Sequence, residues 1–89
     1  MLVKKLKIVN KLGLHARASM KLISLAGRFR SEIWICYGGH RVDAKDILNV
    51  MSLGAAQGSE IELIISGIDE ADALKKITDL IQSGFGEEV

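Results

Sequence analysis

Stretches with a hydrophobic period of two alternate along this chain with stretches of period 3.6, and no proline interrupts either. That alternation restricts the fold more than any other feature, because each segment commits to one buried face. Leu2 to Val9 reads as a strand, with Leu2, Leu6 and Ile8 on one face and Lys5 and Lys7 on the other. A helix follows over Ala16–Ala26, where Leu22, Leu25, Ala26 and Phe29 form a stripe at i, i+3, i+4 and i+7 and Gly27 marks a stop. Glu32 to Tyr37 is rich in β-branched and aromatic residues, Gly38-Gly39 signals a two-residue hairpin, and His40 to Asp43 returns. Asp46 can cap a short helix over Ile47–Leu53 that Gly54 ends. Glu60 to Ser66 forms a fourth strand, with Ile61, Leu63 and Ile65 on one face. Asp69 is placed to cap a last helix with core positions Leu74, Ile77 and Ile81, which Gly84 should stop. The order is β-α-β-β-α-β-α. Alternating strands leave one sheet face wet and one to be covered by helices, so the expected architecture is a two-layer α/β sandwich.

At 89 residues the expectation is one domain spanning 1–89, with no internal repeat or linker. The N-terminal segment alternates lysines with aliphatics and holds no apolar run of the length a signal peptide or membrane span needs. A single cysteine, Cys36, fits a reducing compartment and reads as a small apolar strand residue. A cytoplasmic location is therefore expected, with no membrane association. Charge is unevenly divided: residues 1–41 carry nine Lys and Arg against Glu32 alone, while residues 42–89 carry three Lys against ten acids. Such a split fits either a basic face that meets a partner or an interleaving of the two halves on folding. Nucleic-acid binding is disfavoured because one Trp, one Tyr and two Phe offer few stacking platforms. Cys36, His40 and Asp43 match no standard zinc spacing, so neither a metal nor a cofactor is expected.

Chemistry concentrates at Gly13-Leu14-His15-Ala16-Arg17. A histidine stands where a glycine-marked loop becomes a helix, and an arginine follows two residues later. The backbone N–H groups of Ala16, Arg17 and Ala18 have no intrahelical acceptors, and the helix start carries partial positive charge. A neutral imidazole is a nucleophile near neutral pH and can take up a phosphoryl group, whose oxygens Arg17 can pair. The helix start should also disfavour the protonated ring. His40, after the hairpin glycines, reads as solvated.

The short helix carries a second signal. Ile47, Leu48, Val50, Met51 and Leu53 are all apolar, more than one face of two turns can bury. With Val50 and Leu53 facing the sheet, Leu48 and Met51 point outward and Ile47 lies near the edge. An exposed apolar cluster of this kind marks a docking surface, and the flexible side chains of Met51 and Met20 suit one that accommodates several partners.

Asn10-Lys11-Leu12-Gly13-Leu14-His15-Ala16-Arg17-Ala18-Ser19 resembles the active-site segment of the HPr family, the histidine phosphocarriers of the phosphoenolpyruvate:sugar phosphotransferase system. Ile47 to Gly58 resembles the family's second helix and following loop, and the likeness covers essentially the whole chain. Lys11-Leu12-Gly13 and the tail Ser83-Gly84-Phe85-Gly86-Glu87 also look like NPr, the paralogue of the nitrogen-related branch. The resemblance implies an α+β open-faced β-sandwich, a four-stranded antiparallel sheet in the order 1-4-2-3 with three helices on one face. It implies that His15 accepts phosphate on Nδ1 from phosphorylated Enzyme I and passes it to an EIIA-type domain. The protein is then a carrier and a substrate of its partners, not an autonomous enzyme, with a monomer expected and regulatory proteins as further partners. The family's partner surface maps onto Ala16, Arg17, Met20, Ile47, Leu48, Met51 and Ser52.

Two departures stand out. Ala18 occupies a position where relatives usually have proline; alanine keeps the helix and adds one N–H. Asp46 occupies the place of a serine that a dedicated kinase phosphorylates in many relatives. Aspartate caps as well as serine but cannot accept that phosphate, so seryl control is not expected here. An alternative reading is a regulatory docking module for which phosphorylation of His15 acts as a switch.

Overall fold

The computed structural model describes residues 1–88. Strands β1 (Leu2–Lys7), β2 (Glu32–Tyr37), β3 (His40–Asp43) and β4 (Glu60–Ser66) form one antiparallel sheet in the order β1-β4-β2-β3. Helices α1 (Ala16–Ala26), α2 (Ile47–Ser52) and α3 (Glu70–Gln82) cover one face, and a 3₁₀ turn, Gly84–Gly86, ends the described fold. This is the expected open-faced sandwich. Its core joins Leu6, Ile33, Ile35, Ile61, Leu63 and Ile65 of the sheet to Leu22, Val50, Ile77 and Ile81 of the helices.

Residues of the opposite parity line the open face, where the two halves of the chain meet. Lys5 stands opposite Glu62 and Lys7 opposite Glu60 in the β1–β4 register. The lopsided charge of the linear sequence is therefore interleaved by strand pairing. On the same face Arg41 lies over the ring of Trp34, 4.2 Å from its centroid.

The hairpin glycines Gly38 and Gly39 have φ of 58° and 81°, the two positive values that a type I′ turn needs. Several boundaries differ from expectation for local reasons. β1 ends at Lys7, two residues early, although Ile8 goes on bonding through Ser59 O (2.9 Å) and to Gly58 N (2.8 Å) in irregular geometry. Leu53 is the C-cap of α2 and not its last helical residue, and Gly54 then turns with φ 64°. Gly27 ends α1 in right-handed geometry, φ −64°, without the left-handed glycine turn.

Asp69 precedes α3 but makes no side-chain cap. Its carboxylate instead accepts from Arg30 N (2.9 Å), Ser31 N (2.9 Å) and the Ser31 hydroxyl, tying the α1–β2 connection to the start of α3. The Ser31 hydroxyl, followed by the Arg30 amide, holds the Asp69 carboxyl down at about 2. A carboxylate offered three donors by a neighbouring loop has more to gain there than at its own helix.

Candidate functional site

Three segments build the site. The first is the loop into α1. Gly13 has φ 65°, and a Cβ placed on it would lie 2.5 Å from the Ala55 carbonyl oxygen and 2.8 Å from the Ala56 Cα. Only glycine lets this loop press against residues 54–58, where Leu14 N donates to Ala55 O at 2.9 Å. Leu14 is buried, so the next residue, His15, is delivered to the N-cap of α1 with extended backbone (φ −75°, ψ −177°). The His15 side chain is 28% exposed and does not cap the helix itself. No backbone acceptor engages the N–H groups of Ala16, Arg17 or Ala18 among the described residues, leaving the first turn open to an anion.

The second segment is the tail after α3. Gly84 turns with φ 69°, Phe85 adopts a left-handed φ of 58°, and the Phe85 side chain is buried at 1% exposure. Left-handed backbone costs a non-glycine residue about 1–2 kcal/mol. Burial of a phenylalanine contributes about 1.5–3 kcal/mol. Lys21 Nζ adds a charged hydrogen bond to Phe85 O at 2.7 Å, so anchoring exceeds strain. Lys11 pins the chain further on through Glu88, by N→O at 3.1 Å and Nζ–Oε1 at 2.9 Å.

The anchored tail brings Glu87 onto His15. Nε2 lies 2.9 Å from Glu87 Oε1 and 2.8 Å from Oε2, and Asn10 Nδ2 donates to Oε1 at 3.0 Å. Asn10 is fully buried and its other Nδ2 bond goes to Gly13 O at 2.8 Å, so one amide holds both the loop and the tail. The His15 hydrogen bond chiefly, with help from Asn10 and the charge of Lys21, holds the Glu87 carboxyl below the ordinary range despite its burial. An ionised carboxylate only accepts, so Nε2 carries the hydrogen and donates. In the neutral ring that leaves the lone pair on Nδ1, for which no partner is found among the described residues.

A cleft of about 380 Å³ opens beside this pair, lined by Lys11, Leu12, Arg17 and Lys21 and by Gly86–Glu88 of the tail. Arg17 is exposed on its wall and bonds to no described residue. Lys11 is paired with Glu88 and Lys21 bonds Phe85 O, so among the described residues Arg17 is the cation of this opening left available to an anion.

The third segment is α2. Six residues are too few for an isolated helix. Two things hold it: Asp46 accepts from Leu48 N (3.1 Å) and Asn49 N (3.2 Å), and Val50 is fully buried. Leu48 is 75% exposed and Met51 39%, while Ile47 is half-buried and Ser52 exposed. α1 packs beside α2 and presents Ala16, Arg17 and Met20 to solvent, so the residues read as a partner surface lie on two neighbouring helices. Ala18 is buried and offers the site its backbone only.

Two contributors escape sequence reasoning. Leu12, 70% exposed on the cleft wall, carries no periodic signal. Glu87 stands in a short acidic tail; the only hint is Phe85 between two glycines, a large apolar residue in a segment that otherwise looks like a solvated end. Cys36, His40 and Asp43 lie on or beside the β2–β3 hairpin, and no metal-binding cluster of three such residues occurs among the described residues.

Fold and site together define a small open-faced sandwich that displays one histidine at a helix start, with an arginine two residues on that bonds to no described residue. Comparison with known proteins agrees. The model of the PTS HPr component phosphorylation site matches residues 2–83. The phosphocarrier protein HPr of Neisseria meningitidis is 49% identical over 87 residues, covering 98% of each chain. The solved HPr of Thermoanaerobacter tengcongensis superposes with a TM-score of 0.96 at 43% identity, with both chains fully covered. Crh, the catabolite-repression HPr of Bacillus subtilis, has a TM-score of 0.76 at 36% identity over 94% of this chain and 97% of its own, and its structure is described as a swapped dimer. The chain belongs to the HPr family of phosphocarriers of the phosphotransferase system.

Proposed function

We propose that His15 takes a phosphoryl group on Nδ1 from phosphorylated Enzyme I and passes it to an EIIA-type domain, with residues 1–89 acting as one carrier domain in the cytoplasm. The observation that carries this reading is the half-buried His15 at the N-cap of α1, its Nε2 held by Glu87 and its Nδ1 without a partner among the described residues, with Arg17, which bonds to no described residue, two positions further on. The Nδ1 lone pair attacks the donor's phosphorus in line. The new phosphoryl dianion then meets the open N–H groups of the first turn and the Arg17 guanidinium. A surface anion at a helix start gains about 0.3–1 kcal/mol. A charge-assisted bond from Arg17 adds about 1.5–3 kcal/mol. These gains suit a carrier, since a more tightly held group could not be handed on. No nucleophile-activating base is needed, and the partners align donor and acceptor. Partners dock on the exposed faces of α1 and α2 through Ala16, Arg17, Met20, Ile47, Leu48, Met51 and Ser52. No helix among the described residues is long and apolar enough to cross a membrane.

The test is intact mass after incubation with phosphoenolpyruvate, magnesium and a cognate Enzyme I, followed by addition of an EIIA domain. One acid-labile phosphoryl group, absent from His15→Ala and discharged stoichiometrically to the acceptor, is the expected result. Uptake by His15→Ala, or no uptake by the parent protein beside an active Enzyme I, refutes the reading. Uptake without discharge would favour a switchable docking module.

A further inference from the structure

Carriage by Nδ1 leaves one contact without a role in transfer: the carboxylate of Glu87 on Nε2. We infer that Glu87 is a positioning residue that keeps a proton on Nε2 of His15 in the free and in the phosphorylated protein, and thereby keeps the phosphoryl group transferable. The inference rests on the carrier reading above.

The bookkeeping of the transfer shows why the proton matters. On uptake the Nδ1 lone pair forms the new N–P bond while the donor's N–P bond breaks and its electron pair returns to the donor nitrogen. The Nε2 proton stays in place, so the His15 ring becomes an imidazolium bearing a dianionic phosphoryl group. On discharge the N–P pair returns to Nδ1 and the ring departs as neutral imidazole. Were the Nε2 proton lost first, the ring would have to depart as an imidazolate, a far more basic and poorer leaving group. A carboxylate bonded to Nε2 favours the protonated ring.

Among the described residues, the surroundings make Glu87 the one group suited to this. Arg17 and Lys21 of α1 and Lys11 of the loop line the cleft that Glu87 also lines, and as cations they oppose a further positive charge there. Glu88 is spent on Lys11 at 2.9 Å. Residues 54–58, against which the loop rests, carry no charge. Among the described acids only Glu87 bonds the ring, at 2.8 and 2.9 Å. Its position does not depend on the ring, because Asn10 orients it and Phe85 anchors the backbone two residues before. The low proton affinity of the Glu87 carboxyl keeps it ionised throughout the neutral range.

The experiment compares the parent protein with Glu87→Gln, which keeps size and polarity and removes charge. Nitrogen-15 NMR of the His15 ring is recorded across pH before and after phosphorylation by phosphoenolpyruvate and Enzyme I, and discharge to an EIIA domain is timed over the same range. The expected result is a free ring held as the Nε2–H tautomer in the parent and redistributed in Glu87→Gln. In the phosphorylated form the Nε2 titration midpoint should fall by about one pH unit or more in the variant. Discharge between the two midpoints should slow up to about tenfold, and remain equal well below both. Equal midpoints and superimposable discharge profiles overturn the inference. If the parent protein takes up no phosphate, the carrier reading falls. The free-ring comparison then still decides the Glu87 contact, and an unchanged tautomer balance in Glu87→Gln overturns it.

Discussion

Glu87 Oε2 stands 2.8 Å from His15 Nε2 although 72 residues separate the two in sequence. The contact engages Nε2 and leaves Nδ1 without a partner among the described residues, and it exists because Asn10 and Phe85 hold loop and tail in one place. Each element of this arrangement can be perturbed separately.

Arg17 bonds to no described residue, so its removal should leave the fold intact. Arg17→Ala is expected to slow phosphoryl transfer about ten- to a hundredfold, equivalent to the loss of about 1.5–3 kcal/mol. Thermal stability should change little. A rate equal to the parent's, measured in single turnover with phosphorylated Enzyme I, would remove Arg17 from the phosphate site.

Gly13 combines a φ of 65° with a backbone approach that no Cβ can share. Gly13→Ala should cost about 1–3 kcal/mol of stability and also reduce phosphoryl uptake, because the displaced loop carries His15. Denaturant unfolding gives the first quantity and intact mass the second. A variant as stable and as readily phosphorylated as the parent would show that the loop adjusts freely.

Asp46 supplies both cap bonds of the six-residue α2. Asp46→Ala should therefore cost about 0.5–2 kcal/mol, whereas Asp46→Ser should be nearly neutral. Because α2 presents Leu48 and Met51, only the alanine variant should also weaken binding to Enzyme I in calorimetry. Equal stability of the two variants would mean that packing of Val50 alone holds the helix.

Asp69 has its carboxyl lowered from 3.8 to about 2, first by the Ser31 hydroxyl and then by the Arg30 amide. A carboxyl depressed on folding stabilises the protein fully above its unfolded value, and that contribution disappears as pH falls through the folded value. Melting temperature should therefore drop between about pH 4 and pH 2, and Asp69→Asn should flatten that part of the curve. Parallel curves for the two proteins would show that Asp69 does not contribute to acid sensitivity.

Sequence alone determined the local elements of this protein and the candidate nucleophile. Period-two runs in Ile61–Ile65 and period-3.6 runs in Leu22–Ala26 commit each segment to a face, whatever its neighbours are. The α2 cap is equally local, since Asp46 reaches N–H groups only two and three residues on. An excess of apolar residues over the burial capacity of two helical turns places Leu48 and Met51 on the outside, where they are 75% and 39% exposed. Tertiary structure alone decided the partners of two carboxylates. Asp69 reads as a cap in sequence but ties to Ser31, and Glu87, which local pattern gives no role, bonds His15. The reason is one of range. Periodicity and capping are written in residues a few positions apart, whereas these contacts depend on where two distant loops arrive in space. That depends on the whole packed core beneath them, down to the burial of Phe85 that fixes the tail.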